Sequence, residues 1–307
     1  MRDASSSETS PAAAPTAPDR TPFRRRLAVH GRAMRRELTR IRQRRRILAM
    51  ALLIVTFGFI AAGILARGEP AGADARAYWA GVRIWLSGGD PYHPTGPFLP
   101  YVYAPWMLPL FAPWALLPWD VAWFVWRGGT ILLLLWTIHW AYSRRPLDTA
   151  IVVALLGFSF GANLDTGNIN LLLTLMLWGA QFTGPVIAGF LWSIATWMKW
   201  APLLLFPVLA PRARLWGLVF LVASALLSLA TLPLTILQLQ ALFGFGARPL
   251  RLDYLVFLWA LVPALWRLPE PFGWLRPSNW RAWLARLRAA PRASLGDRLR
   301  AYLGLGA

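Results

Sequence analysis

Residues 47–66 read ILAMALLIVTFGFIAAGILA, an apolar run with no charged side chain. As a helix, roughly 20 such residues cover the hydrocarbon core of a bilayer. Further apolar runs recur as far as Leu268, in a chain of 307 residues that is 57% hydrophobic and 14% aromatic. The fold class read from this is all-α: a polytopic transmembrane helical bundle of about 7–9 membrane helices, short or re-entrant ones included, with amphipathic helices on its surface. Residues 47–66 are not a cleavable signal peptide, although Ala71-Gly72-Ala73 superficially resembles a cleavage site. The run is longer than the apolar part of a signal, about 7–15 residues, and more spans follow it.

Toward the N-terminus the run meets an arginine-dense arm, residues 23–46, expected to be helical on the cytoplasmic leaflet. Before it, residues 1–22 are rich in Pro, Ala, Ser and Thr and are expected to be disordered. The net charge of +19 divides as +9 in residues 1–46, +5 in 47–268 and +5 in 269–307. Positive charge at both ends places both termini in the cytoplasm of a multi-pass plasma-membrane protein, against anionic lipid. No nucleic-acid partner is expected. Cysteine is absent, which excludes disulfides, thiolate metal sites and a cysteine nucleophile. The tail 269–307 is basic and patterned for two surface-lying helices, with Trp280, Trp283, Leu284 and Leu287 on one face.

Toward the C-terminus the run opens into residues 67–105, expected to form an outer loop. From Asp74 to Leu86 the residues Tyr78, Val82 and Trp85 recur at helical spacing, which predicts a short amphipathic helix at the membrane surface. Ser87-Gly88-Gly89-Asp90-Pro91 is expected to end it. Tyr101–Pro118, with prolines at 105, 109, 113 and 118, either crosses as a short kinked helix or dips in and returns. Val121–Tyr142 reads as a span. Thr149–Asn163 and Asn168–Phe182 are shorter runs on either side of Leu164-Asp165-Thr166-Gly167. Pro185–Leu209 is interrupted at Lys199-Trp200-Ala201-Pro202, and Leu215–Thr235 and Leu252–Leu268 read as the last spans. If every run crosses, Arg144 and Arg145 fall outside. If Tyr101–Pro118 is re-entrant and Pro185–Leu209 is a pair of half-helices, Arg144, Arg145, Arg212 and Arg214 lie inside and Asp74, Asn168 and Lys199 outside.

Lys199 is the only lysine of the chain and sits within an apolar run. Burying an ionisable group there costs roughly 2.5–3.5 kcal/mol on insertion scales, so it reads either as a functional cation meeting a phosphate or as a side chain that snorkels to an interface marked by Trp197 and Trp200. Asp165, Thr166, Gly167, Asn168 and Asn170 form a polar cluster that reads as a capped turn or, if buried, as a donor set for an anion. Asp74 is a candidate general base. Arg76 and Arg83 supply positive charge or contact headgroups, and His93 reads as a loop residue. No nucleotide loop, nucleophile elbow or zinc spacing is present.

Several stretches together resemble glycosyltransferase family 87, the polyprenyl-phosphate-mannose-dependent mannosyltransferases of the GT-C membrane fold. They are Asp74-x-x-x-Tyr78-x-x-Gly81, Gly89-Asp90-Pro91-Tyr92, Tyr101-Val102-Tyr103-Ala104-Pro105, Gly167-Asn168-Ile169-Asn170-Leu171-Leu172, and Ala188-Gly189 leading to Ala195-Thr196-Trp197-Met198-Lys199-Trp200-Ala201-Pro202. The resemblance covers about residues 47–235, with Asn168 standing where Gln is common. It implies a family member shortened at its C-terminus, with Asp74 as the catalytic base and Arg76, Tyr78, Asp90, Tyr92, Asn168 and Lys199 around the substrates. The implied reaction transfers a sugar, mannose in the family, from a polyprenyl-phosphate donor to a lipid or glycan hydroxyl on the outer face, with inversion. No cofactor is implied, and the metal requirement stays open. The alternatives are a non-catalytic relative that binds lipid or a membrane partner, and a small transporter with broken helices around Lys199 and Asn168.

Overall fold

The computed structural model describes residues 21–66, 72–244 and 251–268, with side chains from residue 39 onward. The disordered tail expected at the N-terminus up to residue 20 and the amphipathic tail 269–307 lie outside the described residues. Every regular element among those described is helical. The chain divides between Ile47 and Leu48 into two units. In the first, helix α1 (Thr21–Ala66) begins, so Thr21 and Pro22 are already helical; Arg40, Arg42, Arg44, Arg45 and Arg46 are exposed.

Among the described residues three helices are long and apolar enough to cross a membrane: Thr39–Ala66 of α1, Trp119–Arg144 and Pro211–Ala230. A bent pair, Pro146–Leu155 with Gly157–Thr166, is a fourth where the two count as one broken span, and three shorter apolar helices accompany them. The 7–9 membrane helices expected therefore include short ones, as the sequence reading allowed.

The elements after α1 follow in order. Helix α2 is Ala73–Leu86, and its buried face is Ala75, Ala77, Tyr78, Gly81 and Val82. It ends at Ser87, whose N–H bonds to the Arg83 carbonyl, and Gly88 then takes φ 82°, a left-handed conformation that favours glycine. A 3₁₀ turn, Pro105–Met107, leads into α3, Leu108–Ala115. Its eight α-helical residues rise only about 12 Å, less than the hydrocarbon core of a bilayer. Helix α4 is Trp119–Arg144, followed by α5, Pro146–Leu155, and α6, Gly157–Thr166, with a 59° bend between the last two. The sequence reading treated Thr149–Asn163 as one run. The bend at Leu156–Gly157 occurs where a Cβ on Gly157 would lie 3.0 Å from Thr56 of α1, so two helices approach through a glycine.

Helix α7 is Ile169–Ala180 and α8 is Pro185–Met198. As expected, α8 stops at Lys199, which is extended (φ −147°, ψ 141°), and the chain returns as a 3₁₀ segment, Ala201–Val208. Both ends of this hairpin, Pro185 and Val208, line one cavity. Helix α9 is Pro211–Ala230 and α10 is Leu232–Gly244, so the span expected over Leu215–Thr235 starts earlier and breaks at Thr231.

Leu252–Leu268 is not the single α-helical span expected. It is a 3₁₀ segment, Leu252–Leu261, followed by the short α11, Val262–Arg267. Side chains of neighbouring helices satisfy backbone groups there that an α-helix would satisfy itself. Ser159 donates to the Leu252 carbonyl, Asn163 Nδ2 to that of Asp253 at 3.0 Å, and Gln181 Nε2 to that of Ala260 at 2.7 Å. Trp259 is fully buried, stacked on Trp178 at 5.1 Å with its Nε1 on Thr137 at 3.0 Å.

Two ends of the second unit follow from these contacts. At one, α2 meets the α6–α7 turn through the Gly72 N–H to Asp165 carbonyl bond of 2.7 Å. At the other, Arg145 donates to the Leu268 carbonyl at 2.6 Å and Arg267 to that of Gln181 at 2.9 Å. Helix α7, 12 residues long, leads from the first to the second, a rise of about 18 Å.

Candidate active site

The turn between α6 and α7 is built around Gly167. It closes α6 in the left-handed region at φ 67°, and a Cβ there would fall 2.7 Å from both Ala75 and Trp123. Only glycine satisfies both conditions. Trp126 Nε1 donates to the Gly167 carbonyl at 3.1 Å, so α2, α4 and α7 converge on this residue.

Asn168 follows as the N-cap of α7, its Oδ1 accepting the Asn170 N–H at 3.0 Å. That bond fixes the orientation of the amide, which presents Nδ2 to Asp74 Oδ2 at 2.8 Å. Asp74 itself lies in the first turn of α2, where the helix dipole favours a carboxylate.

One helical turn beyond Asp74, the Tyr78 hydroxyl meets that of Tyr103 at 3.1 Å. Burial pushes the Tyr78 hydroxyl well above its ordinary value, with the neighbouring Tyr103 and the Asp74 carboxylate acting in the same direction. It is therefore a neutral hydrogen-bonding group at physiological pH. Lys199 Nζ lies over the Tyr103 ring at 5.6 Å and the Tyr254 ring at 5.8 Å, held between two aromatic faces. Asp74, Asn168 and Lys199 are half-buried, whereas Tyr78 and Tyr103 are fully buried.

The remaining sequence-derived candidates sit elsewhere. Arg76 is exposed, 5.4 Å over the Trp119 ring, and lines a small recess of about 140 Å³ with Pro97 and Leu99. Asp90 organises its own turn: Oδ1 accepts the Tyr92 N–H at 2.8 Å and Oδ2 pairs with His93 Nδ1 at 2.8 Å. Burial pushes the Asp90 carboxyl up, but the hydrogen bonds from His93 and Tyr92 outweigh it, and the net shift is downward. Tyr92 is buried beside Tyr101, ring centres 5.9 Å apart, and its hydroxyl donates to the Tyr103 carbonyl at 3.1 Å. Arg83 donates to the Ala115, Leu116 and Leu117 carbonyls and so closes the C-terminus of α3. Asp165 and Asn170 are buried, so the polar cluster is more than a surface turn.

The sequence reading did not single out Tyr103 or Tyr254 for the site. Tyr103 belonged to a quoted motif, but its partner Tyr78 is 25 residues away. Tyr254 offered only a polar ring in an apolar run.

Beside the site, an apolar groove of about 400 Å³ runs between α1 and α5–α6, lined among others by Phe59, Ile60, Gly157 and Gly161, and reaches Asp165. Among the described residues no group of three or more His, Asp or Glu side chains is placed to hold a metal ion.

Fold and site together define a helical membrane protein with a carboxylate, two tyrosine hydroxyls and an ammonium gathered at one end of its bundle. Residues 101–251 match the model of glycosyltransferase family 87. The matched residues, about half of the chain, include Tyr103, Asn168 and Lys199; Asp74, Tyr78 and Tyr254 lie outside them. No curated protein and no solved structure matches the chain. The activity class carried by the family is a membrane glycosyltransferase.

Proposed function

We propose that the chain transfers a sugar, mannose by the family resemblance, from a polyprenyl-phosphate donor to a hydroxyl of a lipid or glycan acceptor, with inversion, and that Asp74 is the base. The observation that carries this reading is the 2.8 Å bond by which Asn168 orients Asp74 at the start of α7, within one group of side chains that includes Tyr78, Tyr103 and Lys199. The acceptor hydroxyl gives its proton to Asp74 as its oxygen bonds to the anomeric carbon. The bond from that carbon to the phosphate oxygen breaks, and its electron pair leaves with the polyprenyl phosphate.

Lys199 supplies a point charge for the departing phosphate. The Tyr103 and Tyr254 rings on either side hold the ammonium in place for that contact. The apolar groove along α1 and α6 gives a lipid chain a place to lie beside the site. The arginines at the opposite end support a cytoplasmic placement of that end by the positive-inside rule, and with it transfer on the outer face of the plasma membrane.

The test is transfer by the purified protein in lipid nanodiscs, supplied with a panel of radiolabelled polyprenyl-phosphate sugars and, separately, nucleotide sugars. Transfer from the lipid-linked donors is expected. Transfer from nucleotide sugars alone would contradict the donor class, and tight donor binding without transfer would favour the non-catalytic reading.

A further inference from the structure

The end of the bundle opposite Asp74 holds another cavity, of about 460 Å³. It is lined by Gln181, Thr183, Pro185, Pro211, Arg212 and Arg267, with apolar residues completing the wall. Among the described residues no carboxylate lines it. Two of these side chains are guanidinium groups, always charged at physiological pH and shaped to bind phosphate oxygens in pairs.

Arg267 is held in place, donating to the Gln181 carbonyl at 2.9 Å and stacking at 5.1 Å on Phe182. Arg212 is exposed and makes no hydrogen bond or ion pair with any described residue, so its charge is available.

The backbone adds to this charge. Helix α8, 14 residues long, and helix α9, 20 residues long, both begin at the cavity, each with proline in its first turn and no side chain capping its N-terminus. The two helices cross closely one turn further in: a Cβ on Gly189 would lie 2.5 Å from the Gly217 nitrogen and 2.8 Å from the Ala213 oxygen. Two positive helix ends thus meet on the space that the two arginines face. Ala180, the last residue of α7, also lines the cavity. The cavity and the Asp74 site therefore stand apart by the length of α7, about 18 Å.

We propose that this cavity is a phosphate-binding site separate from the transfer site, occupied by the phosphate of an anionic phospholipid headgroup or by a soluble phosphate. The position of the cavity beside the ends of α7, α8, α9 and α11 makes it a clamp. A bound phosphate ties Arg212 on α9 to Arg267 on α11 and neutralises both.

The test uses the full chain in neutral detergent. Native mass spectrometry follows retention of added phosphatidylglycerol, and thermal unfolding follows inorganic phosphate against chloride at equal ionic strength. One phosphatidylglycerol is expected to be retained by the wild type and by Arg40→Gln, a control on the basic arm, with affinity reduced about tenfold or more in Arg212→Gln. Arg267→Gln is expected to act in the same direction but also loses the Gln181 bond, so Arg212→Gln decides. A phosphate-dependent rise in unfolding temperature that Arg212→Gln removes, without lipid retention, would assign the site to a soluble phosphate. Equal losses in Arg212→Gln and Arg40→Gln, or no response of either phosphate source to Arg212→Gln, would overturn the proposal.

Discussion

Asn168 joins two functions in one amide, since it caps α7 through Oδ1 and holds Asp74 through Nδ2. Asn168→Ala should lose both, costing about 1 kcal/mol for the cap as well as activity. Asn168→Asp keeps a good cap but sets a second carboxylate against Asp74, so unfolding temperature should hold while transfer falls; equal stability losses in the two variants would contradict the dual role. For Lys199, replacement by Met keeps length and apolar packing and removes the charge. Lys199→Met should weaken donor binding while folding is kept or improved, because the cost of burying the ammonium disappears. Unchanged donor affinity, measured by displacement of a labelled donor, would return Lys199 to the snorkelling reading. Asp90 has its carboxyl shifted down by bonds it makes in the folded loop, so it stabilises the loop above the ordinary carboxylate range of about 4 and loses that contribution as pH falls through the lowered value. Proteolysis of the 88–97 loop should therefore be flat near neutrality and rise only in acid; a rise between pH 6 and 8 would contradict the assignment. Asp74, Asn168 and Lys199 were legible in the sequence because a polar residue beside or inside an apolar run stands out. The approach of Tyr103 and Tyr254 was not, because these rings reach Tyr78 and Lys199 only through packing between distant segments.

The hairpin of α8 and the following 3₁₀ segment shows what can be read at the scale of an element. Lys199-Trp200-Ala201-Pro202 announced its break, since Pro202 removes a donor and biases the residue before it away from helix. The close crossing of α8 with α9 was not announced, because Gly189 reveals its need for a bare backbone only once Gly217 lies against it. Gly189→Leu should therefore wedge the two helices apart and lower the unfolding temperature. Gly179→Leu, at a position with nothing within 4 Å of the added Cβ, should be tolerated. Similar losses in both variants would contradict the crossing. The Leu252–Leu268 segment had the composition of a span, yet it is largely 3₁₀. Hydropathy reports burial but not which neighbours supply its hydrogen bonds, and here Ser159, Asn163 and Gln181 supply them.

At the scale of the whole molecule, the all-helical membrane fold was legible from the apolar runs, whereas the path of the chain rested on two competing schemes. In the structure Pro185 and Val208 line one cavity with Arg212 and Arg267, the arrangement expected when Pro185–Leu209 goes out and returns. With the arginine end assigned to the cytoplasm, a cysteine at Thr95 should react with an impermeant thiol reagent in intact cells and one at Thr183 should not. The native chain has no cysteine to interfere. The reverse pattern would place the Asp74 site on the inner face. The central claim, that Asp74 takes the acceptor proton, is tested most directly by the single-turnover transfer rate of Asp74→Asn beside that of Asp90→Asn. Asn keeps the size of the side chain and a hydrogen bond to Asn168 through its carbonyl oxygen, but it takes no proton at neutral pH. The account predicts that Asp74→Asn binds donor normally and transfers about 10²–10⁴-fold more slowly, with Asp90→Asn much less affected. Transfer by Asp74→Asn at a rate close to that of the wild type would contradict it.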